Sequence, residues 1–353
     1  MNILITGGCG FVGSNIALKL KRTSPNFNII ALDNLKRRGS ELNITRLTNE
    51  GILFEHGDIR KAEDLNVTNE IDLIIDAAAE PSVLAGLDGG AEYLYETNLS
   101  GTFNILNLAA KKKAKIIFLS TSRIYPIQNI LDAKLDELDT RFEFAANTGV
   151  VGITKKGVNE DLNLMGARTI YGTTKLSSEL LIKEYEAAFG VESIVNRCGV
   201  ISGPYQMGKI DQGFVVLWMA RHYWKKDLSY IGFGGTGKQA RDIIHVDDLS
   251  DLISHQIENF DTFKGDTFNV GGGNEISSSL LEFTKTCENV TGNKINFTAD
   301  PNDRPGDIPI YISDCSKLYK TTDWRPKKSI ETLAVDVFEW INKNENQLKP
   351  ILY

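Results

Sequence analysis

The 353-residue sequence is poor in the features that mark several large protein classes. Its four cysteines, Cys9, Cys198, Cys287 and Cys315, stand far apart with no Cys-x-x-Cys, and its four histidines, His56, His222, His245 and His255, show no ligand spacing. We therefore expect neither disulfides nor a metal site. No run approaches the roughly eighteen apolar residues of a membrane-spanning helix. The apolar opening Asn2-Ile3-Leu4-Ile5-Thr6 is cut at once by Gly7-Gly8 and has no basic stretch before it, so it reads as a strand and not a signal peptide. No lipidation signal stands at Ile351-Leu352-Tyr353, and the expected location is the cytoplasm. A basic excess is also missing: Lys plus Arg is 39 against 46 for Asp plus Glu, which argues against a nucleic-acid partner. Internal repeats and low-complexity segments are absent. With 42% hydrophobic and 24% charged residues, the composition is that of an ordinary globular protein, and the length suits two structural units or one enlarged α/β domain.

What is present begins with alternation. Short β-branched runs at 2–6, 28–32, 52–56, 73–77 and 115–120 are separated by amphipathic stretches at 11–22, 40–48, 62–67 and 93–112, the pattern of βαβ units in a parallel sheet. The expected fold class is α/β, a Rossmann doubly wound parallel sheet, with ligands beyond the carboxyl ends of its strands. Residues 126–170 lose the pattern for longer than an ordinary connection and are expected to form a flap over the substrate. A helix at 171–189 and a strand at 191–197 resume it. We place a dinucleotide-binding domain at 1–197, with the flap as an insert. A smaller substrate-binding lobe at 198–353 follows, interleaved with the last sheet elements.

The first strand runs into Gly7-Gly8-Cys9-Gly10-Phe11-Val12-Gly13 and then a helix. Glycines in this setting let the backbone turn tightly and approach a pyrophosphate resting on helix N-terminal amides. Asp33 lies 20 residues past Gly13, at the end of the second strand, where a carboxylate accepts hydrogen bonds from a ribose and repels a 2′-phosphate. NAD is favoured over NADP. The basic run Lys36-Arg37-Arg38 has two readings, a 2′-phosphate anchor or a solvated charge run. Asp58-Ile59 after the third strand and Ala77-Ala78-Ala79 after the fourth occupy the places for adenine contacts and close backbone approach, although Asp58 equally suits a helix N-cap.

Tyr171-Gly172-Thr173-Thr174-Lys175 puts a phenol and an ammonium one helical turn apart. The spacing arises by chance in a chain with this much Tyr and Lys, so position decides. Thr121 ends the fifth strand, at the sheet edge where a nicotinamide would lie. A nearby cation moves the Tyr171 phenol down from about 10 toward neutrality, where it can act as a base, while the Thr121 hydroxyl holds the same substrate oxygen.

Together these motifs resemble the extended short-chain dehydrogenase/reductases of the nucleotide-sugar epimerase and dehydratase group over nearly the full length. The matching pieces are Gly7 to Gly13, Asp33-Asn34, Asp58-Ile59, Asn98 in Thr97-Asn98-Leu99-Ser100-Gly101-Thr102, Ser120-Thr121, Tyr171 to Lys175, Gly203-Pro204, and Arg241 to Asp248. Within the group, Ala79-Glu80-Pro81-Ser82, Leu119 to Tyr125, Asn196-Arg197-Cys198-Gly199, Lys209 to Gly213 and Gly235 to Gln239 resemble the CDP-sugar 2-epimerase branch, of the paratose/tyvelose type.

The resemblance implies NAD as cofactor and a nucleotide-diphosphate sugar, CDP-linked, as partner. Thr121, Tyr171 and Lys175 are then catalytic. The cofactor would be bound by Gly7, Gly10, Phe11, Val12, Gly13, Asp33, Asn34, Asp58, Ile59, Ala77, Ala78, Ala79, Asn98, Ser120, Tyr171 and Lys175, with Cys198 and Val200 near the nicotinamide. Ser229 and Ile231 match a strand whose main chain reads the base. Arg241 and Arg304 match arginines that clamp the pyrophosphate, a task suited to planar guanidinium groups. Gln212 matches a substrate-side position. The dehydratases of the group carry Asp-Glu directly after the catalytic Thr; here Ser122-Arg123 stands there, so dehydration lacks its proton donors. Arg123 either binds sugar or oxyanion charge or faces solvent. The implied assembly is a homo-oligomer, dimer or tetramer, with 93–112 and 171–189 as contact faces. Readings that share the fold are a UDP-sugar 4-epimerase, a nucleotide-sugar dehydrogenase or reductase, and a catalytically silent NAD sensor.

Overall fold

A computed structural model describes residues 1–65, 70–86, 89–208 and 212–353. Five strands open the chain: β1 (Asn2–Thr6), β2 (Asn28–Asp33), β3 (Leu53–His56), β4 (Leu73–Asp76) and β5 (Lys115–Thr121). Among the described residues they join Ser193–Cys198 and Thr267–Val270 in a seven-stranded sheet, ordered Thr267–Val270, Ser193–Cys198, β5, β4, β1, β2, β3. β1 pairs in parallel with β2 on one side and β4 on the other, so the strand order reverses at β1. The doubly wound parallel sheet expected from the sequence is present.

The strands are almost wholly apolar because helices cover both faces of a parallel sheet. On one face Leu4, Ile74, Ile116 and Phe118 pack with Ile105 and Leu106 of the helix Gly101–Lys112 and Ile182 of the helix Ile170–Phe189. The single helix expected at 93–112 is three pieces, α Ala91–Tyr95, π Glu96–Ser100 and α Gly101–Lys112. The extra residue of the π turn sits where Asn98 and Thr102 are drawn toward polar neighbours. The stretch expected as helix at 62–67 is described only as a 3₁₀ turn, Ala62–Leu65; the rest lies outside the described residues.

The chain divides into two compact units. The first is residues 1–124, 169–197 and 249–268, and holds most of the sheet. The second is residues 125–168, 198–248 and 269–353. The sequence reading set one boundary after Arg197; the structure groups 125–168 with the second unit and 249–268 with the first. In the second unit Ala240–His245 pairs in parallel with Val200–Ser202 and Ile310–Tyr311, and antiparallel with Ser277–Ser279. Leu228–Ile231 pairs with Phe297–Asp300. The stretch 125–168 is built around two small hairpins, Leu135–Glu137 with Phe142–Phe144 and Ile153–Thr154 with Gly157–Val158. The four cysteines are buried thiols.

Candidate active site

The turn from β1 into the helix Phe11–Thr23 is closed by Gly10 N donating to Gly7 O at 2.9 Å. Gly7 has φ +62°, and a Cβ there would lie 2.9 Å from Ala77 O and from Ala78 Cα. A Cβ at Gly13 would come 2.2 Å from Gly7 O. Both positions tolerate only hydrogen: Ala77 and Ala78 press against Gly7, and Gly7 presses against Gly13, while Phe11 and Val12 open the helix.

Asp33 is buried at the end of β2, and its carboxylate accepts from Cys9 N at 3.0 Å and Leu35 N at 2.8 Å. Burial pushes this carboxyl up, and the N–H groups of Leu35, Cys9 and Gly10 pull it back. Each oxygen keeps a lone pair for a ribose hydroxyl. Asn34 Nδ2 donates to Asp58 Oδ2 at 3.1 Å. Asp58 takes the capping role of the two expected for it and adds an ion pair. It caps a turn by accepting from Arg60 N at 3.0 Å, and it binds the Arg60 guanidinium through both oxygens, at 3.0 and 2.7 Å. That pairing, with Arg60 the dominant cause, holds its carboxyl down at about 2. Ile59 is buried in the core, and its carbonyl accepts from Asn104 Nδ2 at 2.9 Å. Lys36 Nζ lies 5.5 Å from the centre of the Tyr93 ring, which also carries Arg60 at 4.9 Å.

Thr121 ends β5, and its Oγ1 accepts from Arg123 N at 3.2 Å in the 3₁₀ turn Ser122–Ile124. Tyr171 stands in the first turn of the helix Ile170–Phe189, which starts where Thr169 caps Gly172 N at 3.2 Å. Lys175 follows one turn later, almost fully buried, with Nζ 3.8 Å from the centre of the Phe118 ring. This helix packs on β5 and on the Ser122–Ile124 turn, so the first unit alone brings Thr121, Tyr171 and Lys175 to one end of the sheet. Asn98 ties the π turn to the same helix: its Oδ1 accepts from Glu80 N at 2.8 Å, and its Nδ2 donates to Glu80 O at 3.1 Å and Thr174 Oγ1 at 3.3 Å.

Three residues here escaped the sequence reading. Asp76, fully buried at the end of β4, accepts from Thr6 Oγ1 at 2.6 Å and Thr102 Oγ1 at 3.3 Å. Burial pushes its carboxyl up, and the Lys175 ammonium is the leading influence against that. Glu179, buried on the helix Ile170–Phe189, binds Arg197 of the strand Ser193–Cys198 and accepts from Ser120 Oγ. The Ser120 side chain, expected at the cofactor, is thus directed at Glu179. No spacing rule connects these residues: Asp76 and Arg197 stand on predicted strands and Glu179 on a predicted helix, and their partners come from other elements.

The second unit carries Cys198, buried at its strand's end, Val200 opening the next strand, and Gln212, whose Oε1 is buried with no hydrogen-bond partner among the described residues. Lys209, Ile210 and Asp211 of the motif before it lie outside the described residues. Ser229 Oγ lies 2.5 Å from Thr298 Oγ1, and Ile231 O accepts from Gln239 Nε2 at 2.9 Å. Arg241 donates to Asp307 Oδ1 at 2.9 Å, Ile308 O at 2.6 Å and Ala240 O at 2.8 Å, so its guanidinium is held in a fixed orientation. Arg304 is partly buried in the loop whose turn is closed by Asp307 N donating to Arg304 O at 3.1 Å. His245, Asp247 and Asp336 lie close enough for one ion, but Lys328 Nζ stands among them, 3.0 Å from Asp247 and 2.5 Å from Asp336, and supplies the positive charge.

A family profile described as the NAD dependent epimerase/dehydratase family matches residues 3–271. The chain belongs to this family. As a member it is an NAD-dependent enzyme of nucleotide-sugar chemistry. CDP-paratose 2-epimerase of Salmonella typhi is 29% identical over 348 residues, 96% of this chain and 99% of that protein. UDP-glucose 4-epimerase of Bacillus subtilis (strain 168) is 27% identical, covering 99% of each. Among solved structures, UDP-glucose 4-epimerase from Thermotoga maritima with UDP-glucose superposes with a TM-score of 0.78 at 24% identity, covering 98% of this chain and 100% of that one. UDP-glucuronic acid 4-epimerase from Bacillus cereus, in complex with UDP-glucuronic acid and NAD, gives 0.78 at 23%, with 97% and 99% covered. At these identities the structural likeness is one of fold. The loop fits the family's dinucleotide: two glycines admit no Cβ, and Asp33 is fixed where a ribose diol needs acceptors.

Proposed function

We propose that the protein is a CDP-sugar 2-epimerase of the paratose/tyvelose type, inverting a sugar carbinol through a transient keto sugar. The observation that carries this reading is the Thr121, Tyr171 and Lys175 set with Ser122-Arg123 directly after Thr121. It has a base for a hydroxyl proton and no carboxyl pair to drive loss of water. NAD, which the Gly7 to Gly13 loop and Asp33 would hold, would supply a reversible hydride acceptor for the sugar carbon, with inversion following when the keto sugar presents its other face. Tyr171 takes the hydroxyl proton and later gives it back; the Lys175 ammonium, buried beside Phe118, favours the phenolate. Thr121 accepts from Arg123 N, which leaves its hydroxyl hydrogen to be donated to the substrate oxygen. Arg123 contributes positive charge next to that oxygen. Arg241, held by Asp307, and Arg304 bind the pyrophosphate, while the strand Leu228–Ile231 reads the base and Gln212 meets the sugar. The CDP preference is supported by the full-length likeness to CDP-paratose 2-epimerase. UDP-sugar 4-epimerisation is the second reading, favoured by the likeness to the Bacillus subtilis enzyme.

The same reading makes the enzyme a cytoplasmic homo-oligomer. Four buried thiols suit a reducing compartment. Tyr95, Phe103, Leu180 and Phe189 are exposed on two helical stretches, Ala91–Lys112 and Ile170–Phe189, that pack on each other, and they form an apolar face for a second copy. The deciding experiment offers CDP-, UDP-, GDP- and dTDP-sugars to the purified enzyme in deuterated water, with products read by NMR. Inversion at C2 of a CDP-sugar without deuterium at that carbon is expected; deuterium there, or turnover confined to UDP-sugars, overturns the reading.

A further inference from the structure

We propose that Glu179, with Arg197 and Ser120, is a positioning device that fixes Tyr171 and Lys175 against Thr121. Ser120 Oγ donates to Glu179 Oε1, and Arg197 grips the same carboxylate through Nε at 3.1 Å and Nη2 at 2.8 Å. All three residues are buried within the first unit. What distinguishes the cluster from a pair that merely stabilises is where its members sit. Ser120 immediately precedes Thr121 on β5. Glu179 is one turn beyond Lys175 and two beyond Tyr171, on the same face of one helix. Arg197 comes from the neighbouring strand, Ser193–Cys198.

The cluster therefore cross-links two adjacent strand ends and the helix that carries the base. Well-packed apolar residues would stabilise this spot as well or better than a buried ion pair. What they lack is direction. A carboxylate gripped from one side by a planar guanidinium and from the other by a hydroxyl allows one rotation and one axial setting of the helix. Sliding the helix by a fraction of a turn carries Tyr171 away from Thr121 and costs three hydrogen bonds at once. The device acts on the proton transfer and not on the dinucleotide: Ser120, the member expected at the cofactor, gives its hydroxyl hydrogen to Glu179, and Ser120→Ala leaves its main chain in place for the dinucleotide.

The consequence for turnover rests on the function proposed above; the consequence for geometry does not. Three forms of the holoenzyme separate the two: Ser120→Ala, which removes the link to β5 and keeps the ion pair; Ser120→Thr, which restores a hydroxyl; and Glu179→Leu with Arg197→Leu together, which leaves no unpaired buried charge. Amide hydrogen exchange followed by mass spectrometry, and ultraviolet titration of the Tyr171 phenol against Tyr171→Phe, need no substrate. In Ser120→Ala and in the double variant we expect faster exchange confined to residues 120–124 and 170–178, and a higher Tyr171 titration midpoint. Ser120→Thr should return both toward wild type. On whichever nucleotide sugar the wild type converts, Ser120→Ala should lower kcat about tenfold or more, with KM and NAD content within twofold. Wild-type exchange and phenol titration in Ser120→Ala overturn the inference, as does exchange that rises uniformly over the sheet. A wild-type enzyme inert toward every sugar offered overturns the functional reading and leaves the exchange and titration results to decide this one.

Discussion

Gly10 and Gly13 of the first loop should fail in different ways when each is given a methyl group. At Gly13 the new Cβ falls 2.2 Å from Gly7 O, 2.9 Å from Gly7 C and 3.0 Å from Gly8 Cα, all of it backbone of the same tight turn. The overlap with the carbonyl oxygen is about 1 Å beyond ordinary contact, so the loop or the helix must move. Overpacking of this kind costs about 1–3 kcal/mol, and the rigid partner puts it at the upper end. Entropy lost by the unfolded chain on Gly→Ala returns about 0.4–1 kcal/mol, leaving roughly 2 kcal/mol of destabilisation. At Gly10 the backbone has φ −68° and ψ 173°, values any residue adopts, and the Cβ meets Gly7 O at 3.0 Å, a contact a few tenths of an ångström of give relieves, and Gly7 C at 3.9 Å. The fold should accept Gly10→Ala with little change. The dinucleotide should not, because a methyl group there occupies space a pyrophosphate needs. Thermal melting of the apo proteins and calorimetric titration with NAD read the two effects apart. Gly13→Ala should melt several degrees below wild type and bind NAD weakly; Gly10→Ala should melt within about 1–2 °C of wild type yet lose about 100-fold in affinity, equivalent to about 2.7 kcal/mol. Wild-type NAD affinity in Gly10→Ala, or wild-type melting in Gly13→Ala, refutes the account of the loop.

Tyr171→Phe should reduce kcat by at least about 100-fold while NAD binding stays within a fewfold, checked by single-turnover absorbance and NAD titration. Two carboxyls should give stability slopes of opposite sign. Asp58 is held at about 2 by Arg60, below the unfolded value of about 3.9, so its contribution is complete above pH 4 and is lost as pH falls toward 2. Burial pushes Asp242 up to about 6, above that same unfolded value, so stability declines as pH rises from about 4 through 6. Denaturant midpoints against pH should lose the first slope in Asp58→Asn and the second in Asp242→Asn. If the proposed homo-oligomer forms through this face, replacing Leu180 and Phe103 by Asp should give a monomer in sedimentation velocity at micromolar protein, with melting of the monomer above room temperature; an unchanged sedimentation coefficient removes that face from the interface.

Much of the first unit was legible because its signals are local. Five strands with β-branched runs, the glycine loop and Asp33 each follow from backbone sterics or from a fixed offset, and all stand within a residue or two of their expected places. The placement of Thr121 at the end of β5, and of Tyr171 and Lys175 one turn apart on a helix, needed only the order of strands and one helical turn. Other features have no local signature. A π turn inside 91–112 preserves the apolar spacing on either side and is set by what Asn98 and Thr102 reach, so periodicity passes over it. Strands of two or three residues in the 125–168 stretch are too short to show alternation. Glu179 and Arg197 belong to different elements, and their pairing depends on tertiary placement. Asp76 follows three apolar residues of a strand, where its nearest sequence neighbours say nothing about Thr6 or Thr102.

The π turn at Glu96–Ser100 bears on how this chain came to work. One surplus residue in a helix rotates everything beyond it by about 100° relative to the segment before. Deleting a single residue between 96 and 100 would restore an unbroken ladder of hydrogen bonds and make a sturdier helix. It would also swing the Asn98 amide off Glu80 and Thr174. A shortened variant is therefore expected to gain rigidity and lose performance. Family members of differing length at this point would mark where an ancient insertion exchanged robustness for aim.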